Sequence, residues 1–150
     1  MLAKKVGWQI KKYSDLWRDF PGDKSDLTDN NIIKGKKMIA YIGFSVKTHK
    51  LHTRILCRKY KHCAPVIITA NQTVIYQFVN TGKIIPIKLR KNDLNRLTNY
   101  GWIFIKCNHT PICDDICNIH ALTCVQFTKR VYSIKKIFIQ TPDALLRYLK

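Results

Sequence analysis

The sequence predicts an α+β domain: an antiparallel sheet of four to six strands with a few helices packed on it. Three observations lead there. Short runs rich in Val, Ile, Tyr and Phe recur between residues 38 and 105, parted by Asn, Gly and Thr. Two helix starts near the end carry their capping residues in order, Thr123 with Gln126 and Thr141 with Pro142 and Asp143. At 150 residues the chain suits one domain, able to bury a core without a metal or disulfide.

The elements follow in chain order. Residues 1–33 read as a peripheral segment and 34–150 as the core. Ser14 can cap a short helix over 15–20, which Pro21-Gly22 ends, and 23–31 is a polar loop. The apolar run from Met38 to Phe44 reads as a strand. Residues 47–61 are basic, with Lys47, Lys50, Arg54, Arg58, Lys59 and Lys61 beside His49 and His52. The middle of that segment reads equally as strand or loop. Residues 64–69 form a strand, Asn71-Gln72 a turn, and 73–79 the returning strand of a hairpin. Pro65 places the start of the first strand at an edge or an irregularity. Asn80-Thr81-Gly82 makes a second turn before a strand over 84–89. Asn92 caps a short helix that ends by Gly101, and 102–105 is another strand. Cys124 to Tyr132 is a helix with Val125, Thr128 and Tyr132 on one face. Ile137-Phe138-Ile139 reads as a last strand, and a terminal helix follows Thr141.

Composition limits the function classes. No apolar run approaches the ~18 residues of a membrane span. The lysines near the N-terminus lead into no apolar stretch of a secretory signal, so the expected setting is a reducing cytosol. Six cysteines in such a setting read as free thiols or metal ligands rather than disulfides. The formal net charge of +18, with no glutamate at all, predicts attraction to a polyanion: nucleic acid, an anionic wall polymer or an acidic lipid surface.

The chemistry centres on Cys124. Thr123 and Gln126 form a capping box, with Leu122 and Phe127 at the positions of a hydrophobic staple. Cys124 is then the first helical residue, where the positive end of the helix dipole favours thiolate. A thiol nucleophile needs a base. His62, opening a strand, is the first candidate, and His120 the second. Cys63 beside His62 reads as a buried apolar filler.

His62 ahead of Leu122-Thr123-Cys124-Val125-Gln126-Phe127-Thr128-Lys129-Arg130-Val131, with the tail from Phe138 to Leu149, resembles the circularly permuted papain-like thiol hydrolases. These are permuted relatives of NlpC-type cell-wall peptidases and of the lecithin:retinol acyltransferase group. Short bacterial and phage proteins of that family are the nearest likeness, so a cytoplasmic or phage-associated setting is expected. The resemblance covers residues 60–149. It implies a permuted papain-like fold, Cys124 as nucleophile, His62 as base and a polar residue on the next strand, Gln77, to orient the base. Asn80 is the substitute. A turn at Asn71-Gln72 sets Gln77 opposite Val66, too far from His62 without a register shift or bulge. The implied activity is thiol hydrolase or acyltransferase on an amide or ester bond, with cell-wall peptide as a candidate substrate and no cofactor.

Two other sites compete. Cys107, His109, Cys113, Cys117 and His120 offer zinc-type ligands, spaced Cys-x5-Cys-x3-Cys-x2-His without a Cys-x2-Cys knuckle. In that loop Asn118 lies six residues before Cys124, where an oxyanion donor could sit, and its position reads as coincidence unless geometry supports the role. The basic segment with Tyr41, Phe44 and Tyr60 would serve a non-enzymatic module that binds nucleic acid or a protein partner. It carries no helix-turn-helix, RRM or KH signature.

Overall fold

The computed structural model describes residues 38–47, 57–69, 71–79, 82–90, 92–112 and 114–150. The N-terminal segment, its Ser14-capped helix, most of the basic segment with His49 and His52, and Asn80 and Cys113 lie outside the described residues.

The described chain is α+β. Five strands make one antiparallel sheet: β1 (Ile39–Ser45), β2 (His62–Ile68), β3 (Thr73–Phe78), β4 (Ile84–Leu89) and β5 (Trp102–Lys106). Their spatial order is β4-β3-β2-β1-β5. Three helices accompany them: α1 (Asp93–Asn99), α2 (Cys124–Val131) and α3 (Pro142–Leu149). A single 3-10 turn, Ile116–Asn118, precedes α2. No helix among the described residues is long and apolar enough to cross a membrane.

Alternation along the strands sorts the core onto two faces. Ile42 and Phe44 of β1, Cys63 and Ile67 of β2, and Val74 and Phe78 of β3 pack with Phe127, Val131 and Tyr132 of the α2 region and Leu145 of α3. Ala64, Val66, Ile75, Ile87 and Leu89 line the other face with Leu97 of α1 and Trp102. The face predicted for α2 holds: Val125, Thr128 and Tyr132 are all buried. The Tyr132 hydroxyl donates to the Tyr41 carbonyl at 2.7 Å, joining the end of α2 to the middle of β1.

Several expectations need correction. Of the two alternatives for Pro65 the edge fails, since β2 is a central strand, and the irregularity stands. The proline is tolerated because the β2–β3 ladder runs from Ile68↔Thr73 to Val66↔Ile75 and goes no further toward the start of β2. The hairpin turn falls one residue earlier than Asn71-Gln72. The Thr69 N–H donates to the Gln72 carbonyl at 2.8 Å, and Thr69 Oγ1 accepts from the Gln72 N–H, closing the hairpin between those residues. Residues 137–139 form no strand. Ile137 and Phe138 sit exposed in a turn, and only Ile139 returns to the core. An apolar triplet is too short a signal to fix a strand, and here the chain turns through it instead. Asn92 makes no side-chain cap on α1. Instead Asp93 folds back and accepts from the Arg90 N–H at 2.7 Å.

Candidate active site

Cys124 begins α2 as the capping residues require. Thr123 is extended (φ −139°, ψ 159°) and its hydroxyl accepts from the Gln126 N–H at 3.1 Å. The Gln126 side chain reaches back one residue further than a standard capping box, accepting from the Leu122 N–H at 2.8 Å. The staple does not form: Leu122 is 85% exposed whereas Phe127 is fully buried. With that contact gone, the turn before Cys124 is held by the Gln126 bonds and by the Phe127 N–H donating to the Thr123 carbonyl at 3.0 Å. No acidic residue occupies the first turn of α2, and Lys129 and Arg130 occupy its last. The positive end of the dipole is thus left to the half-buried thiol of Cys124.

His62 is the first residue of β2. Its Nε2 lies 2.8 Å from Oε1 of Gln77, a side chain only 2% exposed. An amide oxygen can only accept, so this contact is a hydrogen bond for the tautomer of His62 that carries its proton on Nε2. The required register shift is present. Val66 pairs with Ile75 rather than with Gln77. The earlier turn causes this, and it moves Gln77 two positions toward the start of β2, where its side chain bonds His62. The Gln77 amide nitrogen is buried without a hydrogen-bond partner among the described residues.

The His62 ring also meets the edge of Trp102, with centroids 5.9 Å apart and planes at 88°. Ser45 of β1 pairs with His62 on one side and Trp102 on the other, so the three stand in one cross-strand row. Trp102 and Phe104 stack at 6.1 Å over Gly43, where a Cβ would come within 2.9 Å of the Phe104 ring. Glycine at 43 therefore lets the indole lie close to the sheet next to the imidazole.

Alternation sends Cys63 toward the face that carries α2 and α3 and His62 toward the face that carries α1. Because His62 opens its strand and α2 begins against that end, both neighbours reach the Cys124 sulfur. The Cys124 thiol is held well below the usual thiol range. A hydrogen bond from Cys63 does most of this, against burial. The positive charge and hydrogen bond of His62 and the Cys63 backbone N–H add to it. Cys63 goes the opposite way: complete burial, then the hydrogen bond with Cys124, push it well above the usual range. Its Sγ lies 3.5 Å from Thr128 Oγ1, and that hydroxyl donates to the Cys124 carbonyl at 2.8 Å. Nearby, Asp143 in the first turn of α3 accepts from the N–H groups of Lys59 and Tyr60 at 3.3 and 3.2 Å. It thereby ties α3 to the segment that leads into His62.

The other candidates are placed apart. His120 and His109 are exposed, and His109 rests by the ring of Tyr148 at 6.2 Å. Cys107 is buried in the core and Cys117 is exposed. Among the described residues no three groups gather as metal ligands. The Asn118 amide donates to its own turn, to Asp115 Oδ1 at 2.7 Å, rather than toward Cys124. Of the residues that touch Cys124 or His62, the sequence reading missed Trp102 and Thr128 as site residues and took Cys63 only as filler. Thr128 had a local signal, since a threonine four residues on can bond back to the Cys124 carbonyl. Trp102 had none, because β5 joins β1 across a long stretch of chain. In comparisons with known proteins the chain matches no family model, no curated protein and no solved structure at a significant level.

Proposed function

We propose that the chain is a thiol hydrolase or acyltransferase acting on an amide or ester bond, with Cys124 as nucleophile, His62 as base and Gln77 orienting the base. The observation that carries this reading is the connected set itself. A half-exposed, acidified thiol at a capped helix start meets an imidazole whose far nitrogen is fixed by a buried carbonyl. The order of histidine strand before cysteine helix agrees with the permuted papain-like family that the sequence resembles.

The chemistry would run as follows. His62 holds the proton from Cys124, and the thiolate attacks a carbonyl carbon. The first N–H groups of α2 have no partner within the helix, and that of Cys124 faces the developing oxyanion. The imidazolium passes its proton to the leaving amine or alcohol, and an acyl thioester remains on Cys124. Water, or an amine or alcohol acceptor deprotonated by His62, then takes the acyl group and restores the thiol. Gln77 can orient the imidazole but, being neutral, adds no charge to steady the imidazolium. A cell-wall peptide is a candidate substrate, and the net charge of +18 suits an anionic wall polymer.

The test is acyl trapping. The protein is mixed with an activated acetyl ester, quenched in acid and mapped by mass spectrometry. The expected result is an acetyl thioester on Cys124, sensitive to hydroxylamine and lost in His62→Ala. Acetylation spread evenly over the cysteines would contradict the proposal. So would no adduct at all. Salt-sensitive retention on DNA, unchanged in Cys124→Ser, would then move the chain to the basic binding-module class.

A further inference from the structure

We propose that Cys63 is a positioning residue for the nucleophile, its neutral S–H donating to the Cys124 thiolate beside the His62 imidazole and returning to Thr128 Oγ1 once Cys124 is acylated. The inference rests on the reading of Cys124 as nucleophile.

The placement makes the case. His62 and Cys63 are consecutive in β2 and so face opposite sides of the strand. Two consecutive residues can act on one atom only at a strand's end, which is where α2 begins. Cys63 is fully buried, so its own ionisation is suppressed and it remains a donor. Its sulfur lies 3.5 Å from Thr128 Oγ1. The proton of that hydroxyl is committed to the Cys124 carbonyl at 2.8 Å, so Thr128 can offer Cys63 only a lone pair. Cys63 thus has one proton and two acceptors. An anionic sulfur is the stronger of the two, and a neutral thioester sulfur is a poor one. The donor is therefore engaged while the nucleophile is charged and disengaged after acyl transfer. The interaction favours attack without holding the acyl-enzyme.

The experiment is the pH dependence of Cys124 alkylation by iodoacetamide, read at the Cys124 peptide by mass spectrometry in the full-length protein. In Cys63→Ala the midpoint should rise by about one pH unit, the worth of one hydrogen bond to a charged group. In Cys63→Ser, which keeps a donor at that place, it should stay at or below the parent value. If Cys63→Ala does not fold, Cys63→Val serves as the donor-free variant, with folding checked by thermal melting. An unchanged midpoint in a folded donor-free variant would overturn the proposal. A rise in Cys63→Ser equal to that in Cys63→Ala would overturn it too, since packing alone would then explain the shift. The two readings fail separately. A midpoint that moves in His62→Ala but not in Cys63→Ala removes the Cys63 role and keeps the dyad. One that moves in neither removes both.

Discussion

The chain carries two regions rich in sulfur and imidazole, and they meet different fates. One is the loop from Cys107 to His120, where three cysteines and two histidines fall within one short segment. The other is assembled from distant places: Cys124 of α2, and His62 and Cys63 of β2. The crowded segment disperses its described groups, with Cys107 in the core and Cys117, His109 and His120 at the surface. The distant residues converge on one sulfur. Density of reactive residue types along a chain is thus a poor guide to a site. What gathers a site is where elements begin: α2 and β2 start at the same end of the sheet, and starts are where side chains and unpaired N–H groups are both available.

The largest predicted break of this comparison is His62→Ala. It should slow Cys124 alkylation near neutral pH by about 100-fold, the low end of what a positioned base contributes. Cys117 should keep its rate, read at its own peptide in the same sample. Gln77→Leu, which leaves the imidazole unoriented, should cost about tenfold, equivalent to one hydrogen bond.

Within the loop, the split between core and surface should appear in stability. Cys107→Ser puts a hydroxyl into an apolar cluster and should cost about 1–3 kcal/mol in urea unfolding. Cys117→Ser, at an exposed position, should stay within about 0.5 kcal/mol. Thr123→Ala removes the hydroxyl that caps α2 and should cost about 1 kcal/mol. It should also loosen the geometry at Cys124, so its alkylation rate should fall alongside.

The pH response sharpens the contrast between the two neighbouring thiols. Burial raises the Cys63 thiol and the Tyr132 phenol above their ordinary values of 9.0 and 10.0. The unfolded chain therefore releases these protons first as pH rises, and the stability they contribute is complete below about pH 9 and lost above it. Cys124 is depressed, so its contribution is complete above the ordinary thiol value and is lost as pH falls toward its folded value. Thermal melts should decline above about pH 9, and Tyr132→Phe should make that decline shallower. The same variant should lose about 1 kcal/mol at neutral pH, through the bond to the Tyr41 carbonyl.

Local features were legible in the sequence, and features set by distant pairing were not. Thr123 and Thr141 are caps, accepting from Gln126 and Ala144, because a cap depends on residues three apart. The strands over 84–89 and 102–105 were readable from β-branched and aromatic runs between turn residues. The strand order was not, since β5 pairs with β1 across all the intervening chain from β2 to α1. The hairpin register depended on which two residues make the turn. One residue's displacement there moved Gln77 from opposite Val66 to beside His62. The false strand at Ile137-Phe138-Ile139 came from apolar composition in a triplet whose first two side chains are exposed in a turn. The charge-rich segment around His49 and His52, and residues 1–37, lie outside the described residues, so the basic character is legible as composition alone.

The most direct test of the activated thiol compares two cysteines in one sample. The folded protein is treated briefly with limiting iodoacetamide near pH 7, and the Cys124 and Cys117 peptides are quantified together. Exposure alone favours Cys117, since Cys124 is half-buried. Activation by His62 and Cys63 favours Cys124. The account predicts that Cys124 is alkylated first and that His62→Ala removes its lead. A Cys117 that reacts first in the parent protein would contradict it.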